Sequence, residues 1–240
     1  MAKTSRFFPP AARAAGAALL DYRFDRRSPL PALDGPARDF LRSGEELVLP
    51  PSRWSAPGNQ SYGGLVFLVE LGRFLGARRV FEIGTYNGAT AWCLARNLQA
   101  AEVHTLDLPI ENEPALELGV SDASNRLPFE RRAYEALALS TGRVVQHWGD
   151  SATFDFTPWR KSIDLVYVDG AHSREYVRAD SATALDLVCD MGAVVWDDYW
   201  RRIEGVKAIL DELALPLLRV PGTRLVVHFA PEALQRLRDA

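Results

Sequence analysis

The chain has 240 residues, 48% of them hydrophobic and 25% charged, which suits one large globular domain with an extra segment and makes disulfide staples unnecessary. Net charge is −3 and the arginines are scattered among acids, so no basic stripe marks a nucleic-acid partner. No apolar run approaches the roughly 20 residues that cross a bilayer, and Cys93 and Cys189 lie in apolar stretches as reduced core residues do, so a cytoplasmic protein with no membrane partner is expected.

Residues 1–55 are rich in Pro, Arg and Ala, and Pro9, Pro10, Pro29, Pro31, Pro36, Pro50 and Pro51 interrupt any long element. The stretch reads as an N-terminal extension, a lid or an oligomerisation arm, ahead of a main domain over 56–240; homo-oligomerisation stays open. From Tyr62 the apolar residues Leu65, Leu68, Val69, Leu71 and Leu75 recur near helical spacing, and Gly76 marks the stop. Strands and helices then alternate. Strands are expected at 79–83, 103–107, 144–147, 163–168 and 193–196, and helices at 88–99, 126–139, 173–189 and 204–214, with a polar insertion at 109–125. The apolar segments 217–220 and 225–229 flank Pro221-Gly222 and predict a closing hairpin. This order predicts an α/β, Rossmann-like sheet, mostly parallel, with helices on both faces.

The first predicted strand runs into Glu82-Ile83-Gly84-Thr85-Tyr86-Asn87-Gly88. Ligands of open α/β sheets bind beyond the carboxyl ends of the strands, where a tight loop enters a helix. The pattern is Glu-x-Gly-x-x-x-Gly, not the Gly-x-Gly-x-x-Gly of dinucleotide enzymes. A pyrophosphate needs amides and no nearby anion, whereas S-adenosylmethionine carries an ammonium and a sulfonium and tolerates Glu82. The second strand ends at Asp107-Leu108, where an acid can accept both ribose hydroxyls, and the third is followed by Gly149-Asp150-Ser151, which can face adenine. Each feature alone suits a plain turn or a helix cap; the ordered set points to a cofactor. A nicotinamide oxidoreductase is disfavoured by the same pattern.

The stretch from Val80 to Thr90 resembles motif I of class I S-adenosylmethionine-dependent methyltransferases. Its Glu-Ile-Gly-Thr-Tyr form is similar to small O-methyltransferases of the catechol type and of the macrocin (macrolide-sugar) type. The resemblance covers about 60–230. It implies a seven-stranded sheet with an antiparallel last strand, and cofactor contacts from Glu82, Gly84, Thr85, Tyr86, Asn87, Gly88, Asp107, Leu108, Asp150, Ser151 and Asp169.

A second motif lies on the fourth and fifth strands, which end at Asp169-Gly170-Ala171-His172 and at Asp197-Asp198. Neighbouring parallel strands bring these carboxylates together, and a divalent cation relieves their repulsion. Oxygen-only ligands favour Mg²⁺, Mn²⁺ or Ca²⁺. Asp169, Asp197 and Asp198 match the metal positions of the metal-dependent O-methyltransferases one by one. His172 stands where the catechol enzymes carry a lysine base, and Asp-x-x-His is similar to the sugar enzymes. The resemblance therefore implies His172 as catalytic base beside Asp169, and a sugar or natural-product hydroxyl as acceptor, with a catechol-like phenol second. The acid pair also suits a helix cap, His172 also suits the start of its own helix, and a non-catalytic cofactor-binding relative is a further reading. Tyr199 or Trp200 could line an acceptor pocket or simply pack, and packing is favoured for Trp196.

Overall fold

The computed structural model describes residues 30–33, 45–50, 58–125, 138–200 and 203–239. Most of the extension over 1–55, including Trp54, and all but the last two residues of the helix expected at 126–139 lie outside them. Five parallel strands come first, β1 (Arg79–Ile83), β2 (Glu102–Asp107), β3 (Val144–Trp148), β4 (Ile163–Val168) and β5 (Val188–Trp196). The hairpin strands β6 (Leu218–Arg219) and β7 (Val226–Phe229) complete a seven-stranded sheet of order β3-β2-β1-β4-β5-β7-β6, in which β7 is antiparallel to both neighbours. This is the α/β, mostly parallel sheet expected from the alternation of strands and helices.

Helices α1 (Tyr62–Leu75), α2 (Ala89–Asn97), α3 (Val120–Asn125), α4 (Arg174–Leu187), α5 (Glu204–Glu212) and α6 (Pro231–Asp239) connect and cover the strands. Local chemistry sets their ends. The Ser61 hydroxyl accepts the Gly64 N–H at 3.1 Å to start α1, and Gly76 stops it in the left-handed region at φ 65°. Side chains of β1 and β4 alternate between two apolar layers. Val80, Leu165 and Tyr167 meet α1 and α2 residues on one face, while Phe81, Ile83, Val166 and Val168 meet α4 and α5 residues on the other. Burial on both faces is why these strands read as continuous apolar runs.

The structure adjusts three expectations. Strand β5 begins at Val188, not 193, because α4 stops at Leu187 and the chain turns straight into extended backbone that pairs Val188 with Ile163. The polar insertion contains the short helix α3. The terminal helix α6 was not expected, although Pro231 at its start and buried Ala233 and Leu237 one turn apart carried its signal.

Ladder bonds continue one residue beyond the strand ends. Gly84 N–H donates to the Leu106 carbonyl at 2.9 Å, Asp169 N–H to Ile83 at 2.8 Å, Asp197 N–H to Val168 at 3.0 Å and Gly149 N–H to Asp107 at 3.0 Å. The first residues after β1, β3, β4 and β5 therefore stand in one row along the sheet rim. At the opposite end, one Asp164 oxygen accepts the Arg78 and Arg79 N–H groups at 2.7 and 2.9 Å and pins the start of β1 to β4. Asp164→Ala should lower stability by about 1–2 kcal/mol in urea unfolding, as both charge-assisted bonds are lost.

Candidate active site

A cavity of about 600 Å³ opens above this rim, within the range of small-molecule sites. Of the residues singled out in the sequence, Gly84, Tyr86, Asp107, Leu108, Asp150, Ser151, Asp169, His172 and Asp198 line it. Glu82, Thr85, Asn87, Gly88 and Asp197 are not part of its wall. Asn87 Oδ1 accepts the Ala89 N–H at 3.1 Å and Gly88 takes φ 82° at the start of α2, so both shape the loop. The glycine at 84 answers to the fold as well as to any ligand. Its φ is 101°, and a Cβ there would lie 2.0 Å from the Asp169 carbonyl oxygen, where the ends of β1 and β4 meet.

Beneath the loop runs a polar layer set by strand register. Glu82 lies opposite Thr105 on β2, which lies opposite Gln146 on β3. Thr105 donates to Glu82 at 2.5 Å, the Thr85 and Thr105 hydroxyls are 2.7 Å apart, and Gln146 donates to Thr85 at 3.0 Å. Glu82 is 1% exposed, and burial, opposed by the Thr105 bond, pushes its carboxyl up to about 8. It is a neutral acid at neutral pH beneath the cavity.

The polar insertion crosses the cavity and is tied to it at two places. Asp150 accepts the Ala115 N–H at 2.7 Å, the Tyr176 hydroxyl at 2.5 Å and the Ala152 N–H at 2.8 Å. Asp122 of α3 accepts the His172 backbone N–H at 2.8 Å and also bonds His172 Nδ1. On the other side of the ring, His172 Nε2 lies 2.7 Å from Asp198 Oδ2. Burial disfavours the imidazolium, but the bonds to Asp122 and Asp198 outweigh it and push His172 up to about 10. A close approach fixes the ring's base as well, for a Cβ on Gly205 of α5 would lie 2.0 Å from the His172 carbonyl oxygen.

Asp169, Asp197 and Asp198 each place an oxygen within 4.8 Å of the others. Burial, then the charges of Asp197 and Asp198, hold Asp169 well above the usual carboxylate range. Burial and Asp198, opposed by Arg224, push Asp197 up to about 6. Asp197 is 3% exposed, and its Oδ1 has no hydrogen-bond partner among the described residues. Asp198 sits at φ 58°, a left-handed conformation that aspartate tolerates and that occurs at functional turns. Tyr167 of β4 donates to Asp169 Oδ2 at 2.8 Å and receives a bond from Gln60 at 2.8 Å. An all-oxygen, crowded and under-bonded donor set fits a hard divalent cation.

Four participants escaped the sequence reading. Asp122 lies in an insertion without periodicity, Arg224 in the hairpin turn, Gln60 ahead of α1, and Tyr167 inside an apolar strand; only the polar tip of Tyr167 in such a strand was a signal. Trp196 packs at 1% exposure, its indole N–H bonded to Ser181 at 3.0 Å. Tyr199 donates to Asp211 at 2.5 Å, and neither Tyr199 nor Trp200 lines the cavity.

A loop with Glu82 behind it, an acid at the end of β2, a polar turn after β3 and a sheet closed by an antiparallel strand define a class I S-adenosylmethionine-dependent methyltransferase. Residues 81–199, just under half of the chain, match the family described as methyltransferase domain. No curated protein matches the sequence. Among solved structures, the SAH-bound Podospora anserina methyltransferase PaMTH1 superposes with a TM-score of 0.53 at 16% identity, covering 96% of this chain and 99% of that one. The Bacillus cereus O-methyltransferase in complex with SAH gives 0.52 at 18% identity, covering 90% and 99%. The O-methyltransferase TomG from Streptomyces achromogenes, involved in tomaymycin synthesis and solved with SAM, gives 0.51 at 19% identity, covering 93% and 100%. These likenesses establish the fold.

The buried Glu82 yields a pH test. Its folded value, about 8, lies above the ordinary 4.5, so the folded state holds a proton that the unfolded chain has released between those limits. Stability should therefore fall as pH rises from 5 to 8. Relative to Glu82→Gln, the wild-type protein should lose on the order of 3 kcal/mol over that window in urea unfolding, and the two curves should run parallel below pH 4.

Proposed function

We propose that the chain is a divalent-metal-dependent O-methyltransferase that moves the methyl group of S-adenosylmethionine to a hydroxyl of a small molecule. The observation that carries this reading is the meeting of Asp169, Asp198 and His172 at the wall of the cavity, with Asp197 buried against the two aspartates just behind it. We assign the donor's amino-acid end to the Gly84 loop, its ribose to Asp107 and its adenine to Leu108, Asp150 and Ser151. Asp169, Asp197 and Asp198 would hold the metal. When bound, such an ion supplies Lewis acidity, lowering the pKa of an acceptor hydroxyl.

His172 is the base. The bonds to Asp122 and Asp198 favour its imidazolium; with Asp198 engaged by a cation, that support would be reduced, and His172 would release its proton to solvent and stand as the neutral base. Asp122 then keeps Nδ1 as the donor and leaves Nε2 toward the cavity. The acceptor oxygen forms a bond to the methyl carbon, the carbon–sulfur bond breaks, and the hydroxyl proton passes to His172 Nε2. S-adenosylhomocysteine leaves neutral. Holding acceptor and methyl in line supplies much of the rate.

We assign the acceptor to sugar or natural-product hydroxyls, in keeping with the role printed for TomG in tomaymycin synthesis and with an aliphatic hydroxyl's need for both base and cation. A cytoplasmic location agrees with two unpaired cysteines, Cys93 and Cys189. Among the described residues no helix is long and apolar enough to cross a membrane.

His172→Ala should reduce kcat by about 10²–10⁴-fold with unchanged S-adenosylmethionine affinity in calorimetry; an unchanged rate removes His172 from the chemistry. Asp122→Asn should cost about 10–100-fold in kcat, again with donor affinity intact. Chelation with EDTA should abolish turnover and added Mg²⁺ or Mn²⁺ should restore it; turnover that survives chelation overturns the metal assignment.

A further inference from the structure

Arg224 sits in the turn between β6 and β7 and reaches into the carboxylate cluster. Its Nη1 lies 2.5 Å from Asp198 Oδ1 and its Nη2 3.4 Å from Asp197 Oδ2. Its backbone carbonyl accepts the Tyr199 N–H at 3.0 Å, which ties the hairpin turn to the segment that follows the acid pair. The guanidinium thus engages two of the three carboxylates assigned to the cation. Its side chain is 23% exposed, whereas those of Asp197 and Asp198 are 2% and 10% exposed, so it reaches the pair from the solvent side.

The charge balance of the cluster gives this contact its meaning. Asp122, Asp169, Asp197 and Asp198 face the two cationic side chains His172 and Arg224. Without Arg224 the buried pair Asp197–Asp198 would lose the cation that contacts both of its carboxylates, and His172 would remain against Asp198 alone, a costly arrangement in a buried site. With Arg224 in place, an entering dication meets a positive charge on its own ligands.

We infer that Arg224 is the resident counter-cation of the Asp197–Asp198 pair, which keeps the empty cluster folded and weakens divalent-ion binding so that the metal exchanges freely. This rests on the metal reading above. The aspartates lie at the ends of rigid strands, so the flexible arginine is the partner that gives way. A guanidinium cannot lose its proton at any physiological pH, so its opposition to the ion is constant, and loading is set by ion concentration.

The test compares the wild type with Arg224→Met, which keeps the apolar stem and removes the charge, and Arg224→Lys, which keeps the charge. Mn²⁺ is titrated into EDTA-treated, dialysed protein by calorimetry and by electron paramagnetic resonance of the free ion. Melting temperatures are read with and without the ion. Arg224→Met should bind Mn²⁺ about tenfold more tightly than wild type, melt lower than wild type in EDTA, and gain more on adding the ion. Arg224→Lys should stay near the wild-type affinity. Equal or weaker binding by Arg224→Met, with wild type binding normally, overturns the role given to Arg224. Absence of ion binding by wild type and both variants overturns the metal reading itself, and the role of Arg224 falls with it.

Discussion

Parallel strand pairing forces like charges together, and the rest of the site is organised around that constraint. Strands β1, β4 and β5 are neighbours, and their ladder bonds extend to Asp169 and Asp197. The side chains that follow β4 and β5 cannot separate without breaking those bonds. Three carboxylates with oxygens inside 4.8 Å are the outcome. The protein answers with every kind of relief available to it. Tyr167 donates to Asp169 and is itself held by Gln60, His172 and Arg224 bring positive charge, and Asp169 and Asp197 shift toward their protonated forms. A cation would complete the set.

The same rim separates two chemistries. On the side of β2 and β3, Asp107, Leu108, Asp150 and Ser151 line the cavity with two carboxylates, a hydroxyl and one apolar side chain. On the side of β5, Asp198, His172 and Arg224 concentrate charge. Between them, Gly84 lets β1 and β4 meet within a distance that any side chain would forbid. The insertion is tied to both halves, by Asp122 to His172 and by the Ala115 amide to Asp150.

Buried acids play opposite parts here. Glu82 is held neutral in a buried layer where Thr105 donates to it and Thr85 and Gln146 extend the network from Thr105, and it lies beneath the loop. Asp198 stays among cations and faces the cavity. Two carboxylates on one sheet are thus directed to structural and chemical tasks by the packing and charge around them.

The sequence by itself determined the alternation of elements, the parallel sheet with its closing hairpin, and the set Gly84, Asp107, Asp150, Asp169, His172 and Asp198 that meets at one cavity. Periodicity and strand-terminal residues are local signals, and the sheet rule that ligands sit beyond carboxyl ends converts them into a place. Only the tertiary structure decided that Glu82 lies beneath the cavity rather than in its wall, because strand alternation turns it toward Thr105. Only it brought Asp122, Gln60, Tyr167 and Arg224 to the cluster. Those contacts join residues 26 to 107 positions apart in Arg224–Asp198, Asp122–His172 and Gln60–Tyr167, and no spacing rule acts over such separations. Charge compensation in a folded interior is a property of distances, and distances between remote segments exist only once the chain has packed.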